Sequence, residues 1–306
     1  MEPGTMDGHG KIGGKRAEPL VAGPPPYLEA LRANAGLRSF YSSPEDRAAL
    51  LDAIAEKVTE HRITLLSIDI FDTALLRRQR SELARFRCAA KRFHRTVFET
   101  GGTPDFSIED ALLARIAAAR AAYSVNGSKA EGGDPAFREI AKTVCSLLRR
   151  PELTRLYIES ELASEIDDVQ VNPLLEAVRS RFPALRTIFL TDTYLEGPQV
   201  RKIFSAAHGK VRRPTILSSA DGFGSKAAGT LFAHAERTFQ VPPKRALHIG
   251  DNLETDYLSP KRRGWQALHV PLPVAELAAR RTSFERIFRG GRGLPTAFRR
   301  DIAFAP

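Results

Sequence analysis

Residues 65–77 read LLSIDIFDTALLR. An apolar run closes on two carboxylates, Asp69 and Asp72, followed by Thr73. That is the pattern of a buried strand delivering acids to its carboxyl end, which in open parallel sheets is where ligands bind. A carboxylate left unpaired in such a place loses its hydration without compensation. A positive charge is therefore expected beside Asp69.

Three later runs share the same design. Residues 185–194 (LRTIFLTDTY) end in Thr191 and Asp192, and residues 216–226 (ILSSADGFGSK) pass through a Gly-rich loop to Lys226. Residues 246–256 (ALHIGDNLETD) end in Gly250-Asp251-Asn252, with Asp256 a few residues further on. Four expected strands thus end in Asp, Thr, Lys and Asp, in that order. The helices expected between them, over 173–181, 199–207 and 227–239, make an alternation that indicates a parallel sheet covered on both faces. A short last strand is expected over 266–270.

In this order and wording (DIFDT-x-LLR, TDTYL, SS…G…K…G-x-LF, HIGDN-x-x-x-D), the chain resembles the haloacid dehalogenase-like (HAD) superfamily. Within it, the wording is similar to the hydrolases often encoded with or fused to bacterial glycosyltransferases. The resemblance spans about residues 60–270 and implies an α/β fold, a doubly wound parallel sheet with a Rossmannoid core and an inserted helical cap domain. It also implies Asp69 as a nucleophile that forms a covalent aspartyl phosphate. Thr191 would donate its hydroxyl to a phosphoryl oxygen, and Lys226 would neutralise nucleophile and transferring group as a point charge. Mg²⁺ would be held by Asp69, the Phe71 backbone carbonyl and Asp251, with Asp256 completing the acidic pair from behind the ligands or through water.

Phe71 departs from the pattern of the superfamily's phosphatases, which place an acid–base Asp two residues after the nucleophile. The next acid here is Asp72, and Asp72, Asp192 or a cap residue is left to supply the proton. The implied activity is a Mg²⁺-dependent phosphatase acting on a small phosphorylated metabolite, with sugar phosphates or nucleotide-sugar relatives as the candidate class. A weakly catalytic binding module, and a dehalogenase-like hydrolase attacking carbon, remain as alternatives because of Phe71.

The expected organisation has a disordered or loosely packed tail over 1–42, containing Pro24-Pro25-Pro26, and a core over 43–78 and 170–271 that begins with a helix at 43–61. The cap over 79–169 is expected to hold helices at 81–100, 107–125, 134–149 and 153–168 and no strand. The segment 272–306 carries seven Arg against three acids, with Phe284, Phe288, Phe298 and Phe304 interleaved. It reads as a basic tail whose terminal amphipathic helix packs its Phe residues on the core, with single-stranded nucleic acid as the alternative occupant.

With 306 residues, 42% hydrophobic and 27% charged, the chain has the composition of an ordinary globular protein of one large or two smaller domains. Cys88 and Cys145 have no metal-ligand spacing and imply no disulfide framework. No apolar run approaches membrane-spanning length, and the first twenty or so residues lack a signal-peptide core, so the expectation is a reduced, cytoplasmic protein. The net charge of +10 favours anionic partners without choosing among them. No P-loop or GxGxxG follows a strand, which disfavours nucleotide-driven kinases and dinucleotide enzymes. His94, His208 and His234 have no ligand-like spacing, and His248 reads as a histidine packed on an apolar strand.

Overall fold

A computed structural model describes residues 24–125, 133–208 and 214–290. Ahead of the sheet lie α1 (Pro26–Ala33), α2 (Leu37–Ser42) and α3 (Pro44–Glu60). Ser43 caps α3 by accepting the Asp46 amide at 3.1 Å, and Pro44 occupies the first turn, where its missing N–H costs nothing. Strands β1 (Leu65–Ile68) and β2 (Leu75–Arg77) follow, then four helices: α4 (Glu82–Glu99), α5 (Ile108–Val125), α6 (Phe137–Leu147) and α7 (Thr154–Asp168). The chain returns through β3 (Val169–Val171) and α8 (Leu174–Arg181) to β4 (Arg186–Thr191), α9 (Gly197–His208), β5 (Ile216–Ser218) and α10 (Thr230–Phe239). It closes with β6 (Ala246–Gly250), a π-helical turn at Leu253–Leu258, α11 (Ser259–Arg262), β7 (Gln266–His269) and α12 (Val274–Gly290).

The main sheet has five parallel strands in the order β5-β4-β1-β6-β7, flanked by helices, so the chain is an α/β protein. Its strands are buried along both faces, as continuous apolar runs in parallel sheets are. Successive side chains alternate between those faces. Leu65, Ile188, Leu190 and Ala246 join Phe232 and Trp265 on one side, whereas Leu66, Ile68, Phe189, Leu247 and Ile249 face the larger cluster on the other. That larger cluster continues into the inserted helices through Phe86, Phe93, Phe137 and Tyr157, so sheet and insertion share one apolar core. With β4 on one side of β1 and β6 on the other, connections leave β1 in opposite directions. The crevice at such a switch point lies at the carboxyl end of β1.

Two expectations are corrected. Residues 26–42 are not a loose tail: they form α1 and α2, which bury Tyr27, Leu31, Leu37, Phe40 and Tyr41, and the Tyr27 hydroxyl donates to the His269 carbonyl at 3.1 Å. Pro26 begins α1 instead of ending a linker. The insertion does include strand: β2 and β3 pair antiparallel, Leu75 opposite Val171 and Arg77 opposite Val169, and this ribbon carries the chain into and out of α4–α7. In the segment from 272 onward, α12 packs Phe284 against the core and also buries Glu276 and Arg280. Residues 1–23 and 291–306, including Phe298 and Phe304, lie outside the described residues. Among those described, no helix is long and apolar enough to cross a membrane.

Candidate active site

β1 carries the chain to Asp69, whose amide donates to the Ile249 carbonyl of β6 at 2.8 Å and so extends the ladder by one step. The chain then folds back on itself: the Ala74 amide reaches the Asp69 carbonyl at 3.1 Å and the Leu75 amide the Ile70 carbonyl at 2.7 Å. The turn requires a left-handed residue, and Asp72 takes it at φ 63°, a conformation that Asp tolerates better than most side chains.

Four chain segments converge on Asp69. The Lys226 ammonium, from the loop after β5, donates to Asp69 Oδ1 and, at 2.5 Å, to Asp256 Oδ1. Lys226 is held along its own backbone as well. Its amide donates to Asp192 Oδ1 at 2.7 Å, the Ala227 amide donates to Asp192 Oδ2 at 3.2 Å, and the Ser259 hydroxyl donates to its carbonyl at 2.5 Å. Asp192, which follows Thr191 at the end of β4, therefore clamps the lysine loop. Thr191 is itself buried at that strand end, level with Ser218 of β5.

Asp256 is fully engaged. Besides Lys226, its Oδ1 contacts His248 Nε2 at 3.1 Å, and its Oδ2 accepts the Asn252 amide at 3.0 Å. His248 Nδ1 in turn lies 2.8 Å from the Ser67 hydroxyl, its register partner on β1. Asp256 packs so closely on β6 that a Cβ on Gly250 would lie 2.4 Å from its Cγ, which leaves room for glycine alone. Ser67, His248, Asp256, Lys226 and Asp69 thus form one buried polar chain.

Burial sets the electrostatics. It pushes the Asp69 carboxyl up, to about 7, against the opposing Lys226 ammonium. The Asp251 carboxyl is raised well above the ordinary value by burial and then by the neighbouring Asp69, Asp72 and Asp256 carboxylates. Burial alone would raise Asp256 too, but Lys226 and His248 overcome it and hold that carboxyl low. It would lower Lys226, yet Asp256, Asp69 and Asp192 keep the ammonium above its ordinary value.

The donor set fits a divalent cation. Oxygens of Asp69, Asp251 and Asp256 lie within 4.8 Å of one another. The Lys226 ammonium is spent on Asp69 and Asp256, which crowd Asp251, and among the described residues nothing donates a hydrogen bond to the Asp251 carboxylate or to the Phe71 carbonyl. Hard oxygens in this arrangement suit Mg²⁺. Asp69, Asp251 and the Phe71 carbonyl have free acceptor capacity for it. Both oxygens of Asp256 are already used, by Lys226, His248 and the Asn252 amide.

Asp72 does not join this cluster. Its carboxylate receives two hydrogen bonds from the Arg280 guanidinium of α12, Nη1 to Oδ2 at 2.9 Å and Nη2 to Oδ1 at 2.7 Å. Burial by itself would raise Asp72, but Arg280, with Arg77 and Arg85 behind it, holds it ionised and below the ordinary value. The expected role of Asp72 as a proton donor is corrected accordingly: a carboxylate locked in this state has no proton to give. Phe71 is buried with the Arg77 guanidinium 3.9 Å from its ring centroid and offers none either.

Sequence reasoning missed the roles of Arg280, His248 and Ser67. Ser67 and His248 had a faint signal, as polar residues set inside two otherwise apolar runs. Arg280 had none, because nothing local in α12 marks a partner some two hundred residues away.

No family model matches the chain, and none of the curated proteins does. Among solved structures it is similar to a 2-haloacid dehalogenase from Pseudomonas syringae pv. tomato, at 16% identity and TM-score 0.46 over 68% of this chain and 86% of that one. It is also similar to a HAD phosphatase from Thermococcus onnurineus, at 14% identity and TM-score 0.42 over 68% and 86%. A third is a HAD family enzyme from Bacteroides thetaiotaomicron in complex with magnesium and inorganic phosphate, at 11% identity and TM-score 0.44 over 68% and 93%.

Proposed function

We propose that the chain is a HAD-type hydrolase, a Mg²⁺-dependent phosphatase acting on a small phosphorylated metabolite with Asp69 as its nucleophile. The observation that carries this reading is the convergence of Asp69, Lys226 and Asp251 at the carboxyl edge of the sheet, with Asp256 holding the lysine in place. Asp69 attacks phosphorus, the leaving-group oxygen departs, and water then displaces phosphate and restores the carboxylate. Lys226 offsets the repulsion between two anions, and the Ser67–His248–Asp256 chain keeps its ammonium aimed at Asp69. Thr191 donates its hydroxyl to a phosphoryl oxygen. When bound, Mg²⁺ supplies the positive charge that neutralises nucleophile and phosphate together.

Helices α4–α7 serve as the cap. Their docking rests on contacts with the loop after β4: the Phe137 amide donates to the Tyr194 carbonyl at 2.8 Å, and the Tyr194 hydroxyl to Glu161 Oε1 at 3.2 Å. Glu161 is itself held by a two-pronged Arg115 with both side chains buried. A cap seated in this way excludes water from the crevice. Sugar phosphates and nucleotide-sugar relatives are the substrates favoured by the resemblance to glycosyltransferase-linked hydrolases.

Phosphate release from a panel of esters, with and without Mg²⁺, tests the reading. Release that requires Mg²⁺ and is lost in Asp69→Asn is expected. Failure to turn over any ester, with ligand binding retained, would instead favour a binding module, the reading that Phe71 and the locked Asp72 support. Metal-independent halide release would favour attack at carbon.

A further inference from the structure

A second concavity, of about 580 Å³, opens where α4 and α7 leave the β2–β3 ribbon, and no residue of the acidic cluster lines it. Arg78, Arg80, Arg85, Lys91 and Arg95 line it together with Asp168. Main-chain bonds assemble these charges. The Arg78 amide donates to the Asp168 carbonyl at 3.1 Å, Arg38 Nη2 reaches the same carbonyl at 3.0 Å, and Arg85 Nη1 donates to the Arg80 carbonyl at 3.0 Å. The backbone therefore holds like charges together that would otherwise spread apart.

Two independent observations point to a ligand. The first is charge balance. Arg92 pairs with Asp167, and Arg95 lies 3.5 Å from Glu99, but among the described residues no carboxylate stands within ion-pair distance of Arg78, Arg85 or Lys91. The second is Asp168. The residue is 5% exposed, and among the described residues nothing donates a hydrogen bond to either carboxylate oxygen, with Arg80 Nη1 at 3.8 Å from Oδ1. Buried carboxylates are ordinarily hydrogen-bonded, whereas among the described residues this one has only the longer ion pair with Arg80.

We propose that this hollow binds a phosphorylated small molecule of nucleotide size, its phosphates on Arg78, Arg85 and Lys91 and a hydroxyl or amino group donating to Asp168. Guanidinium groups match phosphate oxygens in pairs, and the volume lies within the range of roughly 300–1,000 Å³ typical of small-ligand pockets. A bare polyanion would meet the cations but be repelled by Asp168. A ligand carrying both phosphate and donor groups satisfies both walls. The site is separate from the proposed phosphatase centre, so its occupancy does not depend on that reading.

Calorimetric titration of the full chain in EDTA, with ADP, pyrophosphate and a short oligouridylate as probes, tests the proposal. ADP is expected to bind saturably. The double variant Arg78→Ala/Lys91→Ala, both exposed side chains, should weaken it by about tenfold for each charge-assisted hydrogen bond lost. Asp168→Leu should weaken ADP and strengthen pyrophosphate, because it removes an acceptor from one and a repulsive charge from the other. If that variant does not fold, the Arg78/Lys91 pair still decides the question. ADP binding that is absent below millimolar concentration, or unchanged in the double variant, overturns the proposal. Oligouridylate binding that exceeds ADP binding and is lost in the same variant also overturns it, in favour of nucleic acid.

Discussion

Replacing Arg280 by Ala should unfold much of what holds the turn after Asp69. In the native chain the guanidinium donates to Asp72 at 2.7 and 2.9 Å and to Glu276 Oε1 at 2.6 and 3.2 Å, with all three side chains buried. Glu276 Oε2 also accepts the Leu37 amide at 2.8 Å, so the network ties α12, the start of α2 and the turn into one unit. Removing the guanidinium leaves the buried Asp72 and Glu276 carboxylates without the donor they share, with Arg77 and Arg85 only behind Asp72. Breaking a buried pair in this way costs about 3–5 kcal/mol, a large part of a typical total of about 5–15 kcal/mol. Urea unfolding at pH 7 measures it directly. The sign with pH follows from Asp72, which Arg280 holds below its ordinary value after overcoming burial. Its contribution is complete above the unfolded value of about 3.9 and is lost as pH falls through the lowered folded value, so the gap between wild type and variant should begin to narrow below roughly pH 4 and close only below that lowered value. Asp72→Asn is the partner for a double-mutant cycle, since Asn also tolerates the left-handed backbone. A loss under about 1 kcal/mol at pH 7 would mean that the pair behaves like a solvent-screened surface contact, and would refute the argument.

Asp251→Asn should change stability in opposite directions with and without cation. It relieves a crowded, burial-raised carboxylate and so raises the melting temperature in EDTA, while the upward shift produced by Mg²⁺ shrinks. Gly250→Ala would place a Cβ 2.4 Å from Asp256 Cγ, and displacing that side chain should cost about 1–3 kcal/mol in urea unfolding and loosen Lys226. With Phe71 in the place of an acid and Asp72 held by Arg280, rates should depend steeply on the leaving group. An aryl phosphate such as p-nitrophenyl phosphate should turn over faster than alkyl phosphates by about the 10²–10⁴-fold that general acid catalysis would otherwise supply.

The four strand ends were legible in the chain because each is written locally. An apolar run of strand length that ends in Asp, Thr, Lys or Asp announces both its burial and a polar group at its carboxyl end, and α4–α7 follow from helical periodicity between clear breaks. The short elements were not legible. A six-residue α2 and three-residue β2 and β3 carry too few residues for a period to emerge, and they exist because the rest of the fold covers them. In the same way, the resemblance named Asp69, Thr191, Lys226, Asp251 and Asp256 and set Asp256 behind Asp251, but gave no physical reason for that order. The tertiary structure supplies that reason, with Asp256 spent on Lys226 and His248 and Asp251 without a donor among the described residues, and it alone sets Asp72 against an arginine from the far end of the chain. Residue type and strand position are properties of a short segment. The state of a buried carboxylate depends on which charges the whole fold brings within a few ångströms of it, and those come from segments that are remote in sequence.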